Sequence, residues 1–196
     1  MKSKNWINRQ KKDQFVIKSK QKGFLSRSAF KLIEIETKFK FIKHSKKIID
    51  LGAAPGGWCQ VIFEFNPNAD VTAIDTLNLK FLHSNIDFIK KDFNKIDFKY
   101  LNKKYDLILS DLAPNTTGHQ STDHLRLSNI VINVIENLTF IANLDSNLVV
   151  KIWKGSEESS LIKLLKQRYK NVSYFKPESS RKESSEIYIV GQKFIN

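Results

Sequence analysis

Apolar residues along this chain fall into two rhythms, and the switching between them predicts its architecture. Short apolar runs bounded by polar turns predict strands at 48–50, 70–74, 86–89, 105–110, 146–153, 171–175 and 186–190. Apolar positions recurring every three or four residues predict helices. The first starts with Ser26 as N-cap and runs to about Phe39, with Ala29, Leu32, Ile33 and Thr37 as its buried stripe. A second covers 58–65, and a last one 158–169. Between them a long helix follows the polar loop 116–122 and buries Leu127, Ile130, Val131, Val134, Ile135, Leu138 and Ile141. No helix fits between the last two strands, which therefore predict an antiparallel hairpin. The order implies an α/β fold: one seven-stranded, mostly parallel sheet with helices on both faces, in a single domain over 1–196. Ligands of such sheets sit outside the carboxyl ends of the strands.

That edge collects the unusual residues. The first strand ends in Asp50 and runs into Gly52, Ala53, Ala54, Pro55, Gly56, Gly57 and Trp58. This spacing is not the G-x-G-x-x-G of dinucleotide sites, and Asp50 would repel a pyrophosphate. A cofactor with a cationic centre and an adenosine suits it better, as S-adenosylmethionine does. Asp75 ends the second strand, where an acid accepts hydrogen bonds from a ribose diol. Asp92 ends the third, placed for an adenine amino group with Phe93 beside the ring. Asp111 ends the fourth. Singly each acid reads as a turn or cap residue; three at successive strand ends favour one shared ligand. Lys151 interrupts the apolar run 148–153, where a buried ammonium needs a partner or loses its proton.

Composition adds a partner. The 196 residues carry a net charge of +13, and 41% are hydrophobic, with 14 Phe for a core. Such basicity favours a polyanion, nucleic acid first, although excess Lys, Asn and Ile is also what an A/T-rich genome produces. The basic extension 1–25 interleaves Lys11, Lys12, Lys18 and Lys22 with Trp6 and Phe15, a pattern suited to phosphates and bases. The lone Cys59 forms no internal disulfide, and the four His lack metal-ligand spacing. No apolar run approaches the roughly 18 residues of a membrane span. A cytoplasmic monomer without metal or membrane attachment is expected.

Several blocks together resemble the FtsJ/RrmJ family of ribosomal RNA 2′-O-methyltransferases, the bacterial large-subunit enzymes also called RlmE. They are Gln21-Lys-Gly-Phe-Leu-Ser-Arg-Ser28, Asp50-Leu-Gly-Ala-Ala-Pro-Gly-Gly-Trp58, Ser110-Asp-Leu-Ala-Pro-Asn115, Val149-Val-Lys-Ile152 and Lys176-Pro-Glu-Ser-Ser-Arg181 with Ser185-Glu186. The resemblance implies a Rossmann-like class I methyltransferase fold using S-adenosyl-L-methionine and releasing S-adenosyl-L-homocysteine. It implies methylation of a uridine 2′-hydroxyl in large-subunit ribosomal RNA, in the peptidyl-transferase A-loop. It places Gly56 and Trp58 at the methionine end of the cofactor. It maps the family's Lys-Asp-Lys-Glu tetrad onto Lys31, Asp111, Lys151 and Glu186, with Lys151 as proton acceptor or as a charged group that orients the hydroxyl. Arg27 and Arg181 join the lysines as expected RNA contacts. Thr76-Leu-Asn-Leu79 departs from relatives, which tend to carry a proline and a second acid there. Alternatives are the same chemistry on transfer RNA or a messenger cap, and a non-catalytic RNA-binding assembly factor.

Overall fold

The computed structural model describes residues 13–115, 117–155, 157–181 and 183–196. Strands β1 (Lys47–Leu51), β2 (Asp70–Asp75), β3 (Ile86–Lys90), β4 (Tyr105–Ser110), β5 (Ala142–Trp153), β6 (Tyr169–Phe175) and β7 (Glu186–Phe194) form one sheet. Their order is β3-β2-β1-β4-β5-β7-β6. The pairs β1–β2, β2–β3, β1–β4 and β4–β5 are parallel. Strand β7 runs antiparallel between β5 and β6. The ten or so residues after β6 are too few for a crossover helix, so the chain turns back on itself. The mostly parallel sheet with its antiparallel C-terminal pair is as expected.

Helices α2 (Ala29–Phe39) and α3 (Gly57–Phe65) cover one face, and α4 (Gln120–Ile141) with α5 (Glu158–Lys166) covers the other. A shorter α1 (Gln14–Gln21) lies against α2. Among the described residues no helix is long and apolar enough to cross a membrane.

Some boundaries differ from the sequence reading, for local reasons. Helix α2 starts at Ala29 with Ser28 as N-cap, while the Ser26 and Ser28 hydroxyls bond each other at 2.7 Å. Its buried row is Ala29, Phe30, Leu32, Ile35 and Glu36; Ile33 is half-buried and Thr37 exposed, its hydroxyl donating to the Ile33 carbonyl at 2.7 Å. Helix α5 stops at Lys166. Tyr169, assigned to that helix by spacing, instead opens β6, its ring packed on Phe194 and lying where a side chain at Gly191 would collide with it.

Glu36 is the buried acid that apolar periodicity hides. Its carboxylate accepts the Ile42 N–H at 2.7 Å and the Lys43 N–H at 3.2 Å, tying the end of α2 to the approach to β1. Removing it strands the buried Ile42 donor, at about 1–3 kcal/mol. Glu36→Ala is therefore expected to cost roughly 2 kcal/mol. It should appear as a lower urea midpoint at unchanged slope; an unaltered midpoint would show the acid to be dispensable.

Candidate active site

Side chains on a strand alternate between faces, so each strand sends every second residue toward α2 and α3. On β4 that row is Leu107, Leu109 and then Asp111 just past the strand; on β5 it is Val149 and Lys151. On β7 it is Val190, Tyr188 and Glu186, paired with Val149, Lys151 and Trp153. Because β7 runs the opposite way, its first residue reaches the edge where β4 and β5 end. Each row is apolar in the core and turns polar at that edge. Lys31, on the first turn of α2, meets it from above.

The four side chains form two ion pairs. Lys151, only 6% exposed, donates to the Asp111 backbone carbonyl at 2.6 Å and lies 3.0 Å from its carboxylate. Lys31 lies 2.5 Å from the Glu186 carboxylate, to which the Ser180 hydroxyl also donates at 3.1 Å. The Tyr188 hydroxyl donates to the Asp111 carboxylate at 2.8 Å. Burial by itself would raise the Asp111 carboxyl. The Lys151 ammonium, then Lys31 and the Tyr188 hydroxyl, outweigh it and hold Asp111 below the usual carboxylate range. Burial, reinforced by Asp111 and Glu186, pushes the Tyr188 phenol well up, so it remains a donor. Tyr188 and Ser180 were not singled out from sequence; the alternation of Tyr188 with Glu186 on one strand was the available signal.

Asp111 also lines a cavity of about 400 Å³. Asp75 and Asp92 line it too, with Gly52 and Phe93 and the apolar Leu77, Leu112 and Ile130. Gly52 has φ +87°, and a side chain there would press on the Leu112 backbone, so the turn needs glycine to stay open. The Asp75 carboxylate is fixed by the Ala54 N–H at 2.9 Å and the Leu77 N–H at 2.8 Å. Asp92 caps a short 3₁₀ turn through the Asn94 N–H at 3.0 Å. Three carboxylates against apolar walls suit a ligand with a cation, a diol and an aromatic amine, and would repel phosphates. These acceptors fit S-adenosylmethionine.

The other expected cofactor residues do not line this cavity. Ala53 and Trp58 are buried, and the Trp58 indole donates to the Ser28 carbonyl at 3.0 Å. The Pro55 carbonyl accepts from the Lys80 N–H at 3.0 Å. Gly56 abuts Phe81, and Gly57 opens α3 against Ser26.

This geometry can be set beside known proteins. The sequence profile of FtsJ-like methyltransferases matches residues 24–194. The chain belongs to the FtsJ-like methyltransferase family. It is 39% identical to the ribosomal RNA large subunit methyltransferase E of Rickettsia africae, over 96% of this chain and 87% of that protein. The corresponding Rickettsia bellii protein is 38% identical over the same shares. A crystal structure described as a ribosomal RNA methyltransferase, from Plasmodium falciparum, superposes with a TM-score of 0.76 at 32% identity, covering 88% of this chain and all of that one. The methyltransferase family and its Rossmann-like fold are thus as the motifs implied.

Among the residues expected to meet RNA, Lys18, Arg27 and Arg181 gather around Phe15, Phe30 and Asp13. Lys11 and Lys12 lie outside the described residues. Lys18 stands 5.3 Å from the Phe30 ring centre, and Lys22 is exposed. Arg27 is turned inward, paired with Asp13 and donating to the Ser179 carbonyl. Arg181 shares the same Asp13 carboxylate oxygen at 3.1 Å. No group of His, Cys, Asp and Glu among the described residues is arranged to hold a metal ion.

Beneath the glycine turn Asp50 is fully buried, and among the described residues only the Cys59 thiol bonds its carboxylate, at 3.4 Å. Burial, with Asp111 and Asp75 nearby, raises its carboxyl to about 7. The folded chain therefore holds a proton there that the unfolded chain releases near its ordinary value of about 3.9. That contribution to stability falls as pH rises from about 4 to about 7 and is constant above. Relative to the parent, Asp50→Asn should gain stability across that window and then level off. A difference that does not vary with pH would rule out the buried proton.

Proposed function

We propose that this chain uses S-adenosylmethionine to methylate a ribose 2′-hydroxyl, that of a uridine in the A-loop of large-subunit ribosomal RNA. The observation that carries the reading is the buried Lys151–Asp111 pair at the rim of an acid-lined cavity, with Lys31 and Glu186 on the same edge. The names of the similar Rickettsia and Plasmodium proteins support ribosomal RNA as substrate, and the +13 charge suits it.

In this reading Asp75 takes the cofactor ribose, Asp92 the adenine amino group, and Phe93 the ring edge. Gly52 bounds the methionine end, Ala53, Pro55, Gly56, Gly57 and Trp58 support that turn from behind the cavity wall, and Asp111 would face the sulfonium. Bound S-adenosylmethionine supplies an already activated methyl group. The chain's own work is to align the hydroxyl and manage its proton, and alignment supplies much of the acceleration.

Lys151 is placed for the proton. Its nitrogen spends two donors on Asp111, one on the carbonyl and one on the carboxylate. One tetrahedral position remains. In the neutral amine it is a lone pair, which accepts the 2′-hydroxyl proton; in the ammonium it is an N–H, which steadies the developing alkoxide. Lys31 and Glu186 hold the outer side of the acceptor ribose.

Lys151→Ala is expected to lower methyl transfer at least about a hundredfold while cofactor affinity stays within about twofold. Single-turnover transfer and calorimetric titration separate the two, and parallel loss of both would indicate collapse of the site instead. Neutralising Lys11, Lys12 and Lys18 should flatten the dependence of RNA affinity on salt by roughly 0.7 in log–log slope per lost contact. An unchanged slope would remove those lysines from the interface.

A further inference from the structure

Two arginines near the tetrad share one acid yet differ in what they leave free. Asp13 precedes α1, and one of its carboxylate oxygens caps that helix by accepting the Phe15 N–H at 3.0 Å and the Val16 N–H at 3.3 Å. The other oxygen takes both Arg27 and Arg181. Arg27 is used up: one terminal nitrogen meets Asp13, the second donates to the Ser179 carbonyl, and Nε is buried with no partner among the described residues. Its side chain is 17% exposed. Arg181 is held by Nε alone. Its side chain is 32% exposed, and neither terminal nitrogen is buried or has a partner among the described residues.

The platform under Arg181 is tied down by hydrogen bonds and adjoins the tetrad. Glu34, on α2, accepts the N–H groups of Glu178 and Ser179 at 2.5 and 2.9 Å. Ser180 N–H closes a turn onto the Pro177 carbonyl at 3.0 Å, and its hydroxyl reaches Glu186. Lys31, Glu34 and Arg27 thus lie along one helix and its approach, gripping the segment that carries Arg181.

We infer that the free end of Arg181 binds a phosphate of the substrate RNA beside the tetrad, and that Asp13 is the positioning residue that aims it. The inference rests on the RNA 2′-hydroxyl reading above. A guanidinium fixed at Nε keeps its two terminal nitrogens in a planar fork, the geometry that matches two phosphate oxygens. A phosphodiester is the ligand class because one Asp13 carboxylate serves two guanidiniums, which leaves positive charge at the free end of Arg181 while Lys31 is matched by Glu186. Arg27 then acts as a strut joining α1 to the 177–181 segment and makes no contact with RNA. The basic N-terminal region contributes through a folded, acid-anchored helix as well as through charge.

The probe is a large-subunit RNA transcript titrated against the full chain. Arg181→Gln should weaken its binding about tenfold and reduce the salt slope by roughly 0.7, with cofactor affinity at the parent value. Arg181→Lys should restore the slope and only part of the affinity, since it returns the charge without the fork. Asp13→Asn retains a good helix cap while removing the charge. It should weaken RNA binding severalfold, and Asp13→Asn with Arg181→Gln should bind no worse than Arg181→Gln alone. Tighter RNA binding by Asp13→Asn would overturn the inference, because Asp13 would then be blocking the fork. Additive losses, or unchanged binding by Arg181→Gln, would overturn it equally. A parent chain that transfers no methyl to RNA sinks the functional reading instead. Parent transfer with unchanged Arg181→Gln binding sinks this inference alone.

Discussion

The structure turns on a lysine amine held inside the protein by one aspartate. Lys151 is only 6% exposed, and Asp111 supplies both its backbone carbonyl and its side chain. Such a pair roughly balances its own desolvation, but losing either partner leaves a buried charge unanswered, at about 3–5 kcal/mol. The surrounding order serves it. Strands β4 and β5 must be neighbours for Asp111 to reach Lys151. Strand β7 must run backwards beside β5 for Glu186 and Tyr188 to reach the same edge. The antiparallel strand in an otherwise parallel sheet is thus what lets three strands contribute to one cluster.

The same edge carries a second electrostatic theme. Asp75, Asp92 and Asp111 face one cavity, while Asp50 lies buried beneath the turn that bounds it. Concentrated negative potential is unfavourable to the empty fold and favourable to a positively charged ligand. The burial that lifts Asp50 toward neutrality relieves some of that repulsion. Under the proposed function a cationic methyl donor relieves the rest, and the basic outer surface faces the polyanion. Cofactor and substrate are then sorted by sign of charge before shape is considered.

Much of this was legible in the residues. The two periodicities located the strands and the four longer helices, and the glycine spacing argued against a dinucleotide. Lys151 stood out because an apolar run should not contain it. Periodicity failed where a polar group is buried to hold backbone N–H groups just beyond its own helix, as with Glu36. It failed again where an aromatic suits either element, as with Tyr169. Nor does spacing show where a long side chain turns. Arg27 and Arg181 looked alike in sequence, yet Asp13 consumes one and leaves the other's terminal nitrogens free. Trp58 sits in the glycine-turn motif but packs under α2, 6.0 Å from the Tyr188 ring, away from the cavity lining.

The central claim is that this edge moves a methyl group onto a ribose oxygen. It is tested most directly by supplying labelled S-adenosylmethionine and large ribosomal subunits from a strain lacking the activity, then digesting the RNA to nucleosides. The account predicts label in a single 2′-O-methylated uridine whose 3′ linkage resists alkali. Label on a base, or none in the large-subunit RNA, would contradict it.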